Sequence, residues 1–394
     1  MNILIVSHTY IVDLNCEKFK TLAGLAPDLN VTIVVPKRWR PGGVQNKTIA
    51  TRPWQEGSFR VVPISNFSEN NQGLLCFGQD LIDLLKSFRP DIIQVEQGAK
   101  SVGYAQLITL NRMMGLKAKN LFFTWWNIPY ELKFPIAALE AYNLRHSHGI
   151  VSGNQDGADV LRQRGYSGPI RVMPQLGVDE SLFRPQAQPE LMTQLGIQPD
   201  EFVVGFVGRF VEEKGLLTLC DAIAQLAQQY PDQRWKLLLL GRGPLKEQIQ
   251  QRVNAAGIGD RLILLESVPH DAVPRYINLM NTLILPSQTT ENFKTLTSVG
   301  WKEQFGHVLI EAMASQVPVI GSDSGEIPHV IGDSGLIFPE GNAVALKDCI
   351  AQLMLQPEVA IDCSKRGYTR AMECYTNRAL AQQQLAFYEE LLAN

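Results

Sequence analysis

Short runs of apolar residues alternate along the chain with longer segments whose apolar positions recur at helical spacing. In the first half the runs at 2–6, 31–35, 92–95, 121–124 and 149–152 predict buried strands, and 78–88 (GQDLIDLLKSF) and 101–114 predict helices between them. A strand apolar on both faces is one covered on both sides, so the pattern predicts βαβ units in a parallel, doubly wound sheet. Ligands of such sheets sit beyond the carboxyl ends of the strands. The loops at those ends carry His8, Asn15 and Lys18, then Glu96 and Gln97, then Trp125, Trp126, Asn127 and Glu131.

Residues 172–185 (VMPQLGVDESLFRP) have no period and are punctuated by Pro and Gly, the composition of an interdomain hinge. Beyond them the alternation restarts. Strands are predicted at 202–207, 235–240, 262–265, 283–286 and 317–321, and helices at 216–229, 244–256, 343–355 and 378–392. The expected fold class is therefore α/β, with two doubly wound halves and a cleft lined by strand-end loops of both.

Composition narrows the class of protein. The 394 residues are 45% hydrophobic and 19% charged, enough for two domains with ample cores. A net charge of −3 gives no global attraction to nucleic acid. The six cysteines are scattered without a CxxC pair, which argues for reduced thiols in a cytoplasmic setting and against a disulfide framework or zinc site. The start, MNILIVSHTY, lacks a basic region and reads as a first strand, not a signal peptide. No stretch reaches the ~18 uninterrupted apolar residues of a spanning helix. A soluble intracellular protein is expected.

The stretch 302–331 (KEQFGHVLIEAMASQVPVIGSDSGEIPHVI) is the richest in candidate chemistry. Gly306 precedes the apolar run of Val308, Leu309, Ile310, Ala312 and Met313, so a buried helix is predicted to begin near it. Glu303 then lies in the loop before the helix and Glu311 about a turn and a half inside. Backbone N–H groups at Gly306, His307 and Val308 would leave the helix start with the positive end of its dipole, which suits a phosphate, while flanking carboxylates suit sugar hydroxyls. Acids also favour helix starts for structural reasons alone, so spacing by itself does not assign a role.

A second feature is 205–215 (GFVGRFVEEKG). Its strand ends at Val207, Gly208 lets the backbone turn, and Arg209 emerges at the tip with Lys214 five residues later. Two cations at a strand–helix junction can bind a diphosphate and stabilise it as it leaves. Neither a Walker sequence nor GxGxxG is present. The loops 241–244 (GRGP) and 268–273 (VPHDAV) could hold a planar base by backbone contacts. His270, His307 and His329 read more simply as loop or packing residues than as bases. The run Lys37, Arg38, Trp39, Arg40 could dock on a membrane surface or an anionic acceptor, but reads more simply as a solvated loop.

Taken together, GRFVEEKG, LLLLGRGPLKEQI and EQFGHVLIEAMASQVPVIGSDSGEIPHVI resemble the large retaining glycosyltransferase family four. The resemblance covers essentially the second half, and the first half matches in architecture only. It implies the GT-B fold of two Rossmann-like domains with an interdomain cleft: an acceptor-side domain at 1–174, onto which a helix at about 376–394 packs back, and a nucleotide-sugar-binding domain at 175–375. Arg209 and Lys214 match the family's diphosphate ligands, so neither metal nor other cofactor is expected. Glu311 matches the glutamate on the ribose hydroxyls, and Glu303 the one on the hydroxyls of the transferred sugar. Gly208 and the backbone of Phe305, Gly306, His307 and Val308 complete the donor site.

Two departures concern the acceptor. The family's Gly-Gly loop after the first strand is replaced by HTYIVDLNCEK, and the His many members carry after the fourth strand is replaced in FTWWN, where Trp126 or Asn127 is nearest. Trp126 and Asn127 are the acceptor-side candidates, with one of the two tryptophans expected to pack into the core. A polar insertion at 288–301 is a third peculiarity, expected at the cleft mouth. The implied reaction moves a sugar from a UDP- or GDP-sugar to a glycan, lipid-linked or small-molecule acceptor, in the cytoplasm or peripherally at the inner membrane surface. The alternative is a non-transferring GT-B protein, either a nucleotide-sugar epimerase or a binder that has lost catalysis.

Overall fold

The protein is described by a computed structural model that covers residues 1–41, 48–295 and 297–393. The chain divides into two compact units, Met1–Gly177 with Asn377–Asn394, and Val178–Thr376. The division falls inside the Pro- and Gly-punctuated stretch, at 177/178 where the sequence suggested 174/175.

The first unit is built on an eight-stranded sheet. Its strands are β1 (Asn2–Val6), β2 (Asn30–Pro36), β3 (Trp54–Glu56), β4 (Phe59–Ile64), β5 (Ile92–Val95), β6 (Lys119–Thr124), β7 (Gly149–Ser152) and β8 (Ile170–Val172). Their order is β8-β7-β6-β5-β1-β2-β4-β3, parallel except where β3 pairs antiparallel with β4 at the edge. Alternation along β1 shows how both faces are filled. Ile3 and Ile5 join a core with Phe19 and Leu22 of α1 (Glu17–Ala23) and with Leu380, Phe387 and Leu391 of the C-terminal helix Asn377–Ala393. Leu4 and Val6 face the other way, onto Tyr104, Leu107 and Ile108 of α2 (Val102–Met113). The last helix of the chain thus completes a core begun by its first strand, and truncating Phe387 to Ala should cost about 3–5 kcal/mol.

The second unit has a six-stranded, wholly parallel sheet of β9 (Phe202–Val207), β10 (Trp235–Leu240), β11 (Leu262–Leu265), β12 (Thr282–Leu285), β15 (Val319–Ser322) and β16 (Leu336–Phe338). A separate hairpin, β13 (Thr290–Lys294) with β14 (Val299–Trp301), follows β12. The sheet order is β11-β10-β9-β12-β15-β16, so the chain reverses direction across the sheet between β9 and β12. That reversal is the switch point where open α/β sheets bind ligands. The loops after β9 and β12 are the ones carrying the candidate residues. Among the described residues no helix is long and apolar enough to cross a membrane.

Candidate active site

The loop after β9 is fixed by its neighbour. Gly208 N–H donates to Leu240 O (3.0 Å) and Phe210 N–H to Arg242 O (2.9 Å), which ties the GRF turn to the GRGP turn after β10. Arg209 projects from this double turn, 66% exposed, with Nη2 3.1 Å from Glu213 Oε1. Lys214 closes a 3-10 turn, and Gly215 at φ 63° then starts α4 (Leu216–Gln229). A Cβ on Gly215 would stand 1.8 Å from Pro286 O, so a side chain at that position would push Lys214 away from the end of β12.

Lys214 Nζ donates to Glu303 Oε2 at 2.5 Å, and Ser287 Oγ donates to the same oxygen at 2.7 Å. Both charged side chains are largely covered, Lys214 16% and Glu303 7% exposed. The Trp301 ring centroid lies 5.1 Å from Lys214 Nζ. At its main chain, Glu303 accepts Glu326 N–H at 3.2 Å. Glu303 is therefore held at both its main chain and its carboxylate. Sequence reasoning treated Arg209 and Lys214 as bare cations and Glu303 as a separate group, whereas each cation here is paired with a carboxylate. An ammonium this far out of water needs a counter-charge, which explains the difference for Lys214.

Glu303 leads into α5 (His307–Ala314), which starts at Gly306 with φ 84° and has no side-chain cap. Phe305 is buried, with its ring 5.7 Å from that of Tyr375 and 4.8 Å from that of His307. A Cβ on Gly306 would come within 2.6 Å of Leu285 Cδ2, so the glycine seats the helix start directly on β12. The helix start thus presents the positive end of its dipole without a side-chain cap, an arrangement suited to an anion. Glu311 is the fifth residue of α5, and its side chain has neither hydrogen-bond nor ion-pair partner among the described residues. Part of it reaches solvent, yet the packing around the carboxyl pushes its pKa from 4.5 up to about 7. An acid left without donors by its own protein is suited to hydroxyl donors from a ligand.

The 288–301 insertion folds as the hairpin and leans on the same loop. Asn292 Nδ2 donates to both Glu212 carboxylate oxygens (3.0 and 3.1 Å), and Gln288 donates from N–H to Glu213 O (3.0 Å). Trp301, at its base, was missed by sequence reasoning. An aromatic two residues ahead of Glu303 was the available signal.

In the first unit the strand-end loops hold an unusual set of buried polar groups. Trp125 packs into the core, edge-on to Phe123 at 5.0 Å, and its indole N–H donates to Gln175 Oε1 at 3.0 Å. Trp126 is half-buried and donates to Ile128 O at 2.7 Å, while Lys100 Nζ sits 3.9 Å from the ring centroids of both Trp126 and Tyr130. Burial pushes Lys100 down to about 8. Asn127, expected to face an acceptor, is only 3% exposed and has a partner within the fold. Only Trp126 of the expected pair presents surface.

Lys18 is 1% exposed, its ammonium has no hydrogen-bond partner among the described residues, and the Phe19 ring lies 4.6 Å away. Burial pushes it down to about 8 against the pull of Glu96. Glu96 is already satisfied by Tyr10 Oη (2.6 Å), Gln175 Nε2 (2.7 Å) and Gln94 Nε2 (3.0 Å). In the 37–40 run Trp39 is buried against His8, and Arg38 pairs with Glu69 at 3.2 Å, so the aromatic that membrane docking would need is inside the fold.

Residues 187–370 match the model of the family described as glycosyl transferases group 1. That match lies within the second unit. Among curated proteins the chain is similar to 2-deoxystreptamine N-acetyl-D-glucosaminyltransferase of Streptomyces fradiae, 28% identical over 54% of this chain and 48% of that protein. It is also similar to N-acetyl-alpha-D-glucosaminyl L-malate synthase of Bacillus anthracis, 28% identical over 55% and 52%. The matched stretch thus spans about half the length of these relatives. Likeness in fold extends over the whole chain. Sucrose-phosphate synthase from Thermosynechococcus elongatus has a TM-score of 0.66 at 20% identity, covering 99% of both chains. Anabaena HepE in complex with UDP has a TM-score of 0.69 at 16% identity, covering 99% of this chain and 100% of that one. The fold is GT-B, two Rossmann-like units in one chain.

Proposed function

We propose that the protein is a retaining, metal-independent glycosyltransferase that moves a sugar from a nucleoside-diphosphate sugar to a hydroxyl acceptor. The observation that carries this is the convergence of Lys214, Glu303 and Ser287 at the switch point of the second sheet, beside an uncapped helix start. Lys214 has three N–H donors, of which Glu303 takes one, so two remain for phosphate oxygens. Arg209 supplies the second cation. Both would bind more tightly as charge grows on the departing diphosphate, which is the requirement for lowering the barrier. Glu311 would take the ribose hydroxyls, and Glu303 would orient hydroxyls of the transferred sugar.

Retention is proposed by front-face exchange. The bond from the anomeric carbon to phosphate oxygen breaks, the bond to the acceptor oxygen forms on the same face, and the acceptor proton passes to the leaving phosphate. A double displacement through Glu303 is disfavoured because one of its oxygens is already bound to an ammonium and a hydroxyl, which lowers its nucleophilicity. Independence of metal rests on Lys214 and Arg209 supplying the charge that a divalent ion would otherwise bring. Trp126 is the proposed acceptor-side contact of the first unit, its ring suited to the apolar face of a sugar. The names of the relatives, a transferase and a synthase that joins a glucosaminyl group to malate, favour transfer over the epimerase alternative.

The test is incubation with a panel of UDP- and GDP-sugars in excess chelator, following free nucleotide and the anomeric configuration of any product by NMR. Nucleotide release from at least one donor, with retention, is expected. Release only on restoring manganese would remove the metal-independent reading, and no turnover of any donor would remove the transferase.

A further inference from the structure

The first unit has an open cavity of about 640 Å³ at the end of its sheet opposite the strand-end loops described above. Its walls are the end of α2, the turn into β6, and the turn from α3 (Ile136–Arg145) into β7. Arg112, Lys117, Lys119, Arg145, His146 and His148 line it, and no carboxylate does. Among the described residues none of the four Lys and Arg side chains has a carboxylate partner within ion-pair distance. Two of them have a structural explanation, since Arg112 and Arg145 lie in the last turns of α2 and α3 and complement the helix dipoles. Those two C-termini contribute about half a negative charge each, together about one against four positive charges. Lys117 and Lys119 belong to neither helix. The surplus of positive charge is real.

The floor of the cavity is a built one. Asn111, buried, donates to Ala118 O (2.8 Å) and Asn120 Oδ1 (2.9 Å) and accepts Ala118 N–H (3.2 Å), which pins the turn bearing Lys117 and Lys119. Lys117 is held at φ 64° by this turn. His146 Nδ1 lies 2.8 Å from Tyr142 O and must donate to it, so its Nε2 accepts from Arg112 Nη1 at 2.5 Å and orients the guanidinium. His148 Nδ1 accepts Asn120 N–H at 3.0 Å, which puts its remaining hydrogen on Nε2 as one more donor. The wall thus offers four cations and the His148 N–H, while His146 serves to orient Arg112.

We propose that this cavity binds a phosphate-bearing ligand carrying more than one negative charge. Such a group would meet the Lys117 and Lys119 ammoniums and the Arg145 and Arg112 guanidiniums, donors matched to phosphate oxygens. The site is separate from the donor site in the second unit and does not depend on the proposed reaction. A phosphorylated soluble molecule and the headgroup of an anionic lipid share this chemistry, and Met113, 78% exposed next to Arg112, would be the apolar contact for the lipid.

The experiment uses the full chain in an Arg209→Ala/Lys214→Ala background, so that donor-site cations do not contribute. Tripolyphosphate is titrated by calorimetry at low and high salt, and flotation is measured with phosphatidylcholine vesicles with and without phosphatidic acid. The same measurements follow in Lys117→Asn/Lys119→Gln, where Asn suits the left-handed backbone at 117, with thermal unfolding as the control for folding. Salt-sensitive binding that weakens about tenfold for each charge removed is expected. Tripolyphosphate binding alone supports a soluble ligand, and flotation with phosphatidic acid supports a lipid. Binding of neither probe, or binding unchanged in the folded charge-removed variant, overturns the proposal.

Discussion

Lys214 and Glu303, 89 positions apart in the sequence, meet in a 2.5 Å ion pair with Ser287 on the same carboxylate oxygen. Two groups with separate roles in the proposed reaction are thus one unit before any ligand arrives. Each fixes the other's position, and the loss of one changes the environment of its partner.

This interdependence separates two variants that would otherwise look alike. Arg209→Ala and Lys214→Ala should each lower turnover a few hundredfold, about 3–4 kcal/mol of transition-state stabilisation. Arg209 is largely exposed, and its pair with Glu213 is worth only a few tenths of a kcal/mol, so the unfolding midpoint should not move. Lys214→Ala leaves the covered Glu303 carboxylate without its cation and should lower stability by about 1–3 kcal/mol. Turnover and urea unfolding on both variants check the contrast. Equal stability of the two would show that the pair contributes nothing to folding.

Glu311 should make donor binding depend on pH. Its pKa rises from 4.5 to about 7 on folding because burial disfavours the charged form. Between those values the folded chain holds a proton that the unfolded chain has lost, so stability falls as pH rises through that window. Ligand hydroxyls that donate to the carboxylate favour its charged form, so nucleotide binding near pH 6 should release a proton. Calorimetry in buffers of different ionisation heat measures that release, and Glu311→Gln should abolish it while weakening binding about tenfold. Proton release unchanged in Glu311→Gln would place the linkage elsewhere.

Lys18 predicts the opposite slope. Its pKa falls from 10.5 to about 8 on folding, so between these values the unfolded chain binds the extra proton and stability rises with pH. The buried charge costs about 3 kcal/mol below pH 8 by this linkage. Lys18→Met should therefore be more stable than the wild type at pH 7, with the difference closing towards pH 10.5. Unfolding free energies of both across that range give the result directly. A variant less stable at pH 7 would mean that attraction to Glu96 outweighs desolvation.

The strand and helix pattern was legible because both sheets are covered on two faces, which writes strands as short apolar runs. Half of the predicted elements coincide with the observed ones, as at 202–207, and the others differ by one or two residues at an end, as for 31–35 against Asn30–Pro36. The edge was less legible. β4 (FRVVPI) was missed. Its Pro63 has no N–H to donate, yet β3 pairs only with Phe59–Val61, so the missing N–H costs no bond on that side. In the site, Arg209, Lys214, Glu303, Gly306 and Glu311 were named from local motifs. The ion pair was not, because nothing local to 214 or 303 says that β12 brings Ser287 between them. The burial of Asn127 was illegible for a related reason: a polar residue at a strand end reads as exposed, and only the packed loop shows it buried.

The central claim is that Lys214, Arg209 and the start of α5 hold a nucleoside diphosphate. Calorimetric titration of UDP and GDP into the full chain, in chelator, tests it without knowledge of sugar or acceptor. Saturable binding of at least one nucleotide is expected, weakened about a hundredfold or more in Arg209→Ala/Lys214→Ala. Absence of binding to the wild type, or equal affinity in a folded double variant, would contradict it.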